Sequence, residues 1–248
     1  MSQRVQVGFS QRIQLEWLER TTELLLAGST RGEIQAALDD FLQDKLSVGS
    51  NTKSTNRRKA ISILLRIWVS VPESLEPLRN EGLEHLRRLP TDEHLPVHWG
   101  MTMAVYPFFG VVAETVGRLV RLQGSIAAAS AQRRIREQLG ERETVSRAAR
   151  RVLRCFVDWG VLQDTREKGV YQAASVRLVE DKKLVAWLIE AALVASNSDS
   201  GSLKAFAQTP ALFPFAIGQI NLTDLEGNER LELFRQGLDE NMVTWARN

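Results

Sequence analysis

The 248-residue chain has a single cysteine, Cys155. One thiol excludes an intrachain disulfide and any Cys-x-x-Cys metal or redox pair, which fits a reducing compartment and a cytoplasmic location. Long apolar runs are missing as well. The most apolar stretches, 101–113 and 184–195, are too short for a bilayer and are interrupted by Pro107 and Glu190, so no membrane span is expected. The opening "MSQRVQVGFS" has no apolar core of signal-peptide length. Neither a GxxxxGK[ST] phosphate loop nor a GxGxxG fingerprint occurs. Asp39 and Asp40 are adjacent, so on a helix they point ~100° apart and form no paired-carboxylate site. His94 and His98 stand four apart, a spacing that suits a metal on a helix. However, Pro96 lies between them and no acidic base or third ligand is placed beside them. Their expected role is structural, with no metal. Cys155, next to Leu153 and Phe156, reads as a small core residue despite the arginines around it. With no catalytic constellation, the sequence points to a non-enzymatic protein without a cofactor.

Net charge is only +2, so composition alone does not announce a nucleic-acid binder. Its distribution is uneven. Between Arg118 and Arg154 there are ten arginines and three acids (Glu137, Glu141 and Glu143), a local charge of +7 in a nearly neutral chain. Residues 176–248 carry seven Lys/Arg against ten Asp/Glu. A basic segment of this kind is the footprint of a phosphate-contacting face, because neutralised phosphates release counterions.

The chain reads as mainly α-helical and folded. Apolar spacing predicts a helix over 9–27 and a second one, capped by Ser29 or Thr30, through Leu42. The polar stretch "SVGSNTKSTNRRK" predicts a loop that ends in a third helix over 56–69. Arg57, Arg58 and Lys59 would open that helix, where cations oppose the helix dipole unless an anion compensates. A further helix covers 73–89. "LPTDEHLPVHWG", with two prolines, reads as a linker or rigid turn and sets a boundary near residue 90. Three regions are expected: an N-terminal helical bundle (1–90), a winged helix-turn-helix (100–175) and a mostly helical C-terminal region (176–248).

The order within the middle region carries the functional expectation. Helices are predicted over 106–123, over 126–139 with Ser125 as cap, and over 144–159, followed by a hairpin from "GVL" and "VYQAA". Helix-turn-helix followed by a β-hairpin is a winged helix, whose last helix can enter the major groove. Gly160 ends that helix and Gly169 permits a tight wing turn. Within the third helix, which runs into "RAARRVLRCFVDWGVL", Val145, Ala148, Ala149, Val152, Leu153 and Phe156 form the packed side. Arg147, Arg150, Arg151 and Arg154 recur in steps of three and four on another side. Arg142 precedes the helix, and Arg166 and Lys168 lie in the wing.

The stretches "LEWLERTTELLLAGSTRGEIQAAL", "NTKSTNRRKAISILLRIW", "AVYPFFGVVAETVGRLVRLQG" and "TVSRAARRVLRCFVDWGVL" resemble the BrxA family of BREX phage-defence systems over residues 9–175. The resemblance implies a small cytoplasmic protein with an N-terminal bundle similar to that of the antiterminator NusB and winged-helix elements that bind double-stranded DNA. It implies an accessory role beside other defence-system proteins. By position it assigns Arg147, Arg150, Arg151 and Arg154 to the recognition helix, Arg166 and Lys168 to the wing, and Arg57, Arg58 and Lys59 to a further contact. The competing expectation is an assembly adaptor that meets an acidic protein partner through the same basic face.

Overall fold

The computed structural model describes residues 7–46, 52–218, 220, 222–225, 227–236 and 240–246. Within them the chain is mainly helical with small sheets. Residues 7–14 form neither helix nor strand, and Phe9 and Ile13 are buried there. The first helix therefore begins at α1 (Leu15–Leu26), not at residue 9. The second, α2 (Arg31–Phe41), is capped by Thr30, whose hydroxyl accepts from the Glu33 N–H while Glu33 reaches back to the Thr30 N–H. This reciprocal pair satisfies two donors that a helix start leaves open.

The third helix, α3 (Thr52–Trp68), starts four residues before the expected Asn56. Residues 47–51 of the expected loop lie outside the described residues. Arg57, Arg58 and Lys59 consequently sit in the second turn of α3 and do not open it. The dipole effect fades within one turn, so the electrostatic reason for expecting an anion there lapses.

Helix α4 (Glu76–Arg88) is followed by a short 3-10 turn and α5 (Leu95–Val105). The stretch expected to be a linker or rigid turn thus holds a 3-10 turn at Thr91–Glu93 and then the start of a helix whose every residue from Leu95 to Val105 is buried. Its proline, Pro96, lies in the first turn, where the missing N–H costs nothing. Pro107 plays the same part in α6 (Pro107–Gln123). One continuous hydrophobic core takes side chains from Phe9 through Val243, so the three expected regions share a single interior. No single helix among the described residues is long and apolar enough to cross a membrane, and α5 and α6 meet at a bend of 119°.

After α6 come β1 (Ser125–Ala127), α7 (Ala128–Leu139), α8 (Glu143–Asp158), β2 (Leu162–Asp164) and β3 (Val170–Ala173). The sheet is antiparallel in the order β1-β3-β2, with Ile126 opposite Tyr171 and Gln163 opposite Gln172. Ser125 therefore begins a strand and does not cap a helix. The β2–β3 turn uses Gly169 at φ +82°, a conformation costly to any residue with a Cβ.

The C-terminal region departs most from expectation. It contains β4 (Arg177–Val179), α9 (Lys182–Ser196), β5 (Ser200–Ser202), α10 (Leu203–Ala207), β6 (Phe215–Ile217), β7 (Leu231–Gln236) and β8 (Glu240–Trp245). It is a mixed segment, not a mostly helical one. β4 pairs parallel with β6, and β8 runs antiparallel between β5 and β7. Residues 222–224 make a 3-10 turn and Leu231 opens a strand. α9 is not amphipathic, since Leu184–Leu193 is buried on all sides against α4, α5, α6 and α10. Glu190, buried within it, is held by Arg230 (2.7 Å from Nε to Oε1) and Asn228 (2.6 Å), and Arg230 also pairs with Glu81. A buried carboxylate persists only when it is paired in this way.

Where α4 meets α9, Arg88 pairs with Asp181 through both guanidinium nitrogens (2.6 and 2.7 Å) and donates to His85 Nδ1 at 2.7 Å. Accepting that bond requires a neutral ring. Burial, and then the charge of Arg88, push His85 down to about 4. The unfolded residue titrates near 6.5, so between these values the unfolded state binds the extra proton and stability rises with pH. The expected gain from pH 4 to 6.5 is about 3 kcal/mol, measurable as urea-unfolding free energies across that range. His85→Gln should remove this part of the slope, and an unchanged slope in a folded variant would refute the assignment.

Candidate functional site

Helix α8 divides cleanly into two faces. Val145, Ala148, Ala149, Val152, Leu153, Cys155 and Phe156 are buried, while Arg147 and Arg150 are exposed and Arg151 and Arg154 half-buried. An apolar stripe at steps of three and four drives this orientation, leaving the arginines in solvent. Phe156 stacks on Trp99 (ring centroids 4.8 Å apart), and the indole N–H of Trp159 donates to the Ile13 carbonyl at 3.0 Å. The Ile13 N–H donates to Cys155 Sγ at 3.2 Å, and Arg12 grips Asp158 through both carboxylate oxygens. The segment before α1 thus fixes the C-terminal half of α8. Burial pushes the Cys155 thiol up to about 12, as befits a core residue and not a nucleophile.

The expected basic residues have unequal freedom. Arg147 is tied to Glu143 one turn earlier (2.8 Å from Nε), and Arg154 stands 3.5 Å from Asp164 on β2. Arg142, at the N-cap, donates a long bond of 3.4 Å to the Leu139 carbonyl. Arg150, Arg166 and Lys168 are exposed and have no ion-pair partner among the described residues. Partial burial, and then the neighbouring charge of Arg147, lower the Arg151 pKa from its usual value. That repulsion is what a nearby anion would relieve. Glu167 sits between Arg166 and Lys168 and reduces the net charge of the β2–β3 turn.

Arginines of the basic segment outside α8 are partly structural. Arg121 donates to the Gln208 carbonyl at 2.9 Å, Arg118 pairs with Glu114, and Arg133 lies 3.8 Å from Glu137. Arg134, exposed on α7 without an ion-pair partner among the described residues, joins the set that sequence reasoning did not single out. Its signal was its place in the helix preceding α8.

Arg57, Arg58 and Lys59 stand on a different helix from the arginines of α8. They belong to α3, which packs mainly on α1, α2 and α5, whereas α8 packs on α6, α7 and β2. Arg57 is engaged by Asp39 at 2.6 Å, which joins α3 to α2. Arg58 lines a cleft between α2 and α3 with Arg31 and Arg66.

The histidine pair has a third member that the sequence did not reveal. Glu19, on α1, places Oε2 2.9 Å from His94 Nδ1 and Oε1 3.1 Å from His98 Nε2. The expectation that no acidic ligand adjoins the pair is therefore corrected. Contact between α1 and α5 across 75 residues of chain brings it there. Burial pushes His98 below its ordinary value although Glu19 opposes this. Glu19 is also buried in part, but the two imidazoles outweigh that and hold its carboxyl below the usual range.

No protein-family model, no curated protein and no solved structure matches this chain.

Proposed function

We propose that the protein is a non-catalytic DNA-binding factor that contacts duplex DNA through backbone phosphates, using α8 as a recognition helix and the β2–β3 turn as a wing. The observation that carries this reading is the exposed arginine face of α8 within the order α6-β1-α7-α8-β2-β3, with the sheet paired β1-β3-β2. This order and pairing support a winged-helix reading, in which the third helix would face the major groove. Arg147 and Arg154 are seven residues apart, ~10 Å along the helix axis, so the face is long enough to meet several phosphates of one groove. An accessory role in phage defence rests on the resemblance to the BrxA family alone. Other defence-system proteins would be the protein partners of that role.

The adaptor reading also has an observation behind it. Val176 and Leu178, on or beside β4, are 59% and 61% exposed on a two-stranded sheet with an open edge. An edge of this kind pairs readily with a strand from another chain.

Fluorescence anisotropy with a short duplex distinguishes the two. A phosphate-dominated binder loses affinity steeply with salt, by about 0.9 in the log–log slope for each phosphate contact. We expect a slope of magnitude three or more. Wild-type protein that fails to bind duplex even at low salt would leave the adaptor reading in front.

A further inference from the structure

We infer that Glu19, His94 and His98 form a binding site for one divalent transition-metal ion of the zinc type, which staples α1 to α5. Their ligand atoms lie within 4.8 Å of one another. The two pairs that share the carboxylate are separated by 2.9 and 3.1 Å. Metal–ligand bonds of ~2.1 Å require neighbouring ligand atoms to stand ~3–3.5 Å apart, so small side-chain rotations close the set onto one ion. Two imidazoles and a carboxylate suit zinc and its neighbours in the first transition row better than calcium or magnesium, which prefer all-oxygen shells. Three protein ligands leave a coordination position for water.

The buried polar atoms point independently to a ligand. His98 is fully buried, yet among the described residues neither ring nitrogen has a hydrogen-bond partner, and Glu19 Oε1 lacks one too. Its 3.1 Å approach to His98 Nε2 brings the two atoms together without hydrogen-bond geometry. Leaving such groups unsatisfied costs about 1–3 kcal/mol each, and a coordinated ion is one of the few arrangements that satisfies them. Coordination would satisfy His98 Nε2 and Glu19 Oε1 at once.

The surroundings also match a metal site. His94 offers Nδ1 to the cluster while its Nε2 lies 3.0 Å from the Leu89 carbonyl. A ligating histidine ordinarily donates its second N–H to such an acceptor, which fixes both tautomer and ring orientation. Trp68 packs edge-on against His98 with centroids 5.5 Å apart and shields that side from water.

The test uses the full chain after chelator dialysis. Titration with Co(II) should give visible d–d absorption that saturates at one equivalent and is displaced by Zn(II), and Zn(II) should raise the melting temperature by mass action. His98→Gln and Glu19→Gln should each weaken uptake at least tenfold while remaining folded by circular dichroism. Should either variant fail to fold, the wild type still answers the question, because the chain has only three histidines. On Zn(II) addition the ring resonances of His94 and His98 should shift and those of His85 should not. Folded wild-type protein that takes up no Co(II), or in which metal leaves the His94 and His98 resonances unmoved, overturns the proposal.

Discussion

Arg150→Glu combined with Arg154→Glu is expected to lower affinity for duplex DNA by about a hundredfold at low salt, roughly tenfold or 1.4 kcal/mol for each reversed site. The two residues differ in what they give up. Arg150 is exposed and without an ion-pair partner among the described residues, so its charge is fully available to a phosphate. Arg154 shares its charge with Asp164 at 3.5 Å, and its reversal also sets a second carboxylate beside β2. Arg150→Glu alone therefore gives the cleaner result, an expected tenfold loss with the salt slope reduced by about one. Arg118→Glu is the matched control, because Arg118 is already paired with Glu114 on α6. Equal losses from Arg118→Glu and Arg150→Glu would mean that net charge, not the α8 face, governs binding. A double variant that binds as the wild type does would remove α8 from the interface.

What the sequence revealed follows from how far each signal reaches along the chain. The two faces of α8 are a local pattern, and apolar residues at steps of three and four specify them without reference to any other element. The β2–β3 hairpin is similarly local. Helix α5 was hidden because Pro90 and Pro96 look like a break, whereas Pro96 stands in the first turn of the helix and begins it. Strand β1 is three residues long and exists only because β3, some 45 positions later, supplies its partners. The parallel pairing of β4 with β6 depends on the same kind of distant contact. In the candidate site the arginines were legible but their partners were not. Asp39, Glu143 and Asp164 decide how much charge Arg57, Arg147 and Arg154 have left. Only Glu143 is close enough in sequence to be read from it, as an i,i+4 pair. Glu19 was hidden for that reason too, since an acid on one amphipathic helix gives no sign of facing two histidines on another.

Trp99→Ala is expected to destabilise the fold by about 4 kcal/mol, which corresponds to a fall of about 10 °C or more in melting temperature for a chain of this size. Trp99 is fully buried, and its ring meets Phe109, Phe156, Trp159, Phe213 and Phe215 at centroid distances of 4.8–6.0 Å. Its indole N–H donates to the Ala211 carbonyl at 3.0 Å, so truncation removes both the packing and the partner of a buried backbone acceptor. Close packing on several sides limits how far the neighbours can collapse into the space left behind. Trp99→Phe should lose less, because an aromatic ring remains even though the hydrogen bond is gone. Urea or thermal unfolding reads the difference, and a Trp99→Ala protein that melts within about 2 °C of the wild type would contradict the packing. The site also matters for α8. Phe156 and Trp159 at the end of that helix lean on Trp99, while Arg150 and Arg154 emerge from the opposite side of the same turns. Loosening this contact frees the helix that carries the arginines. Trp99→Ala protein held below its own melting temperature should therefore bind duplex DNA more weakly than the wild type, although no charge has changed.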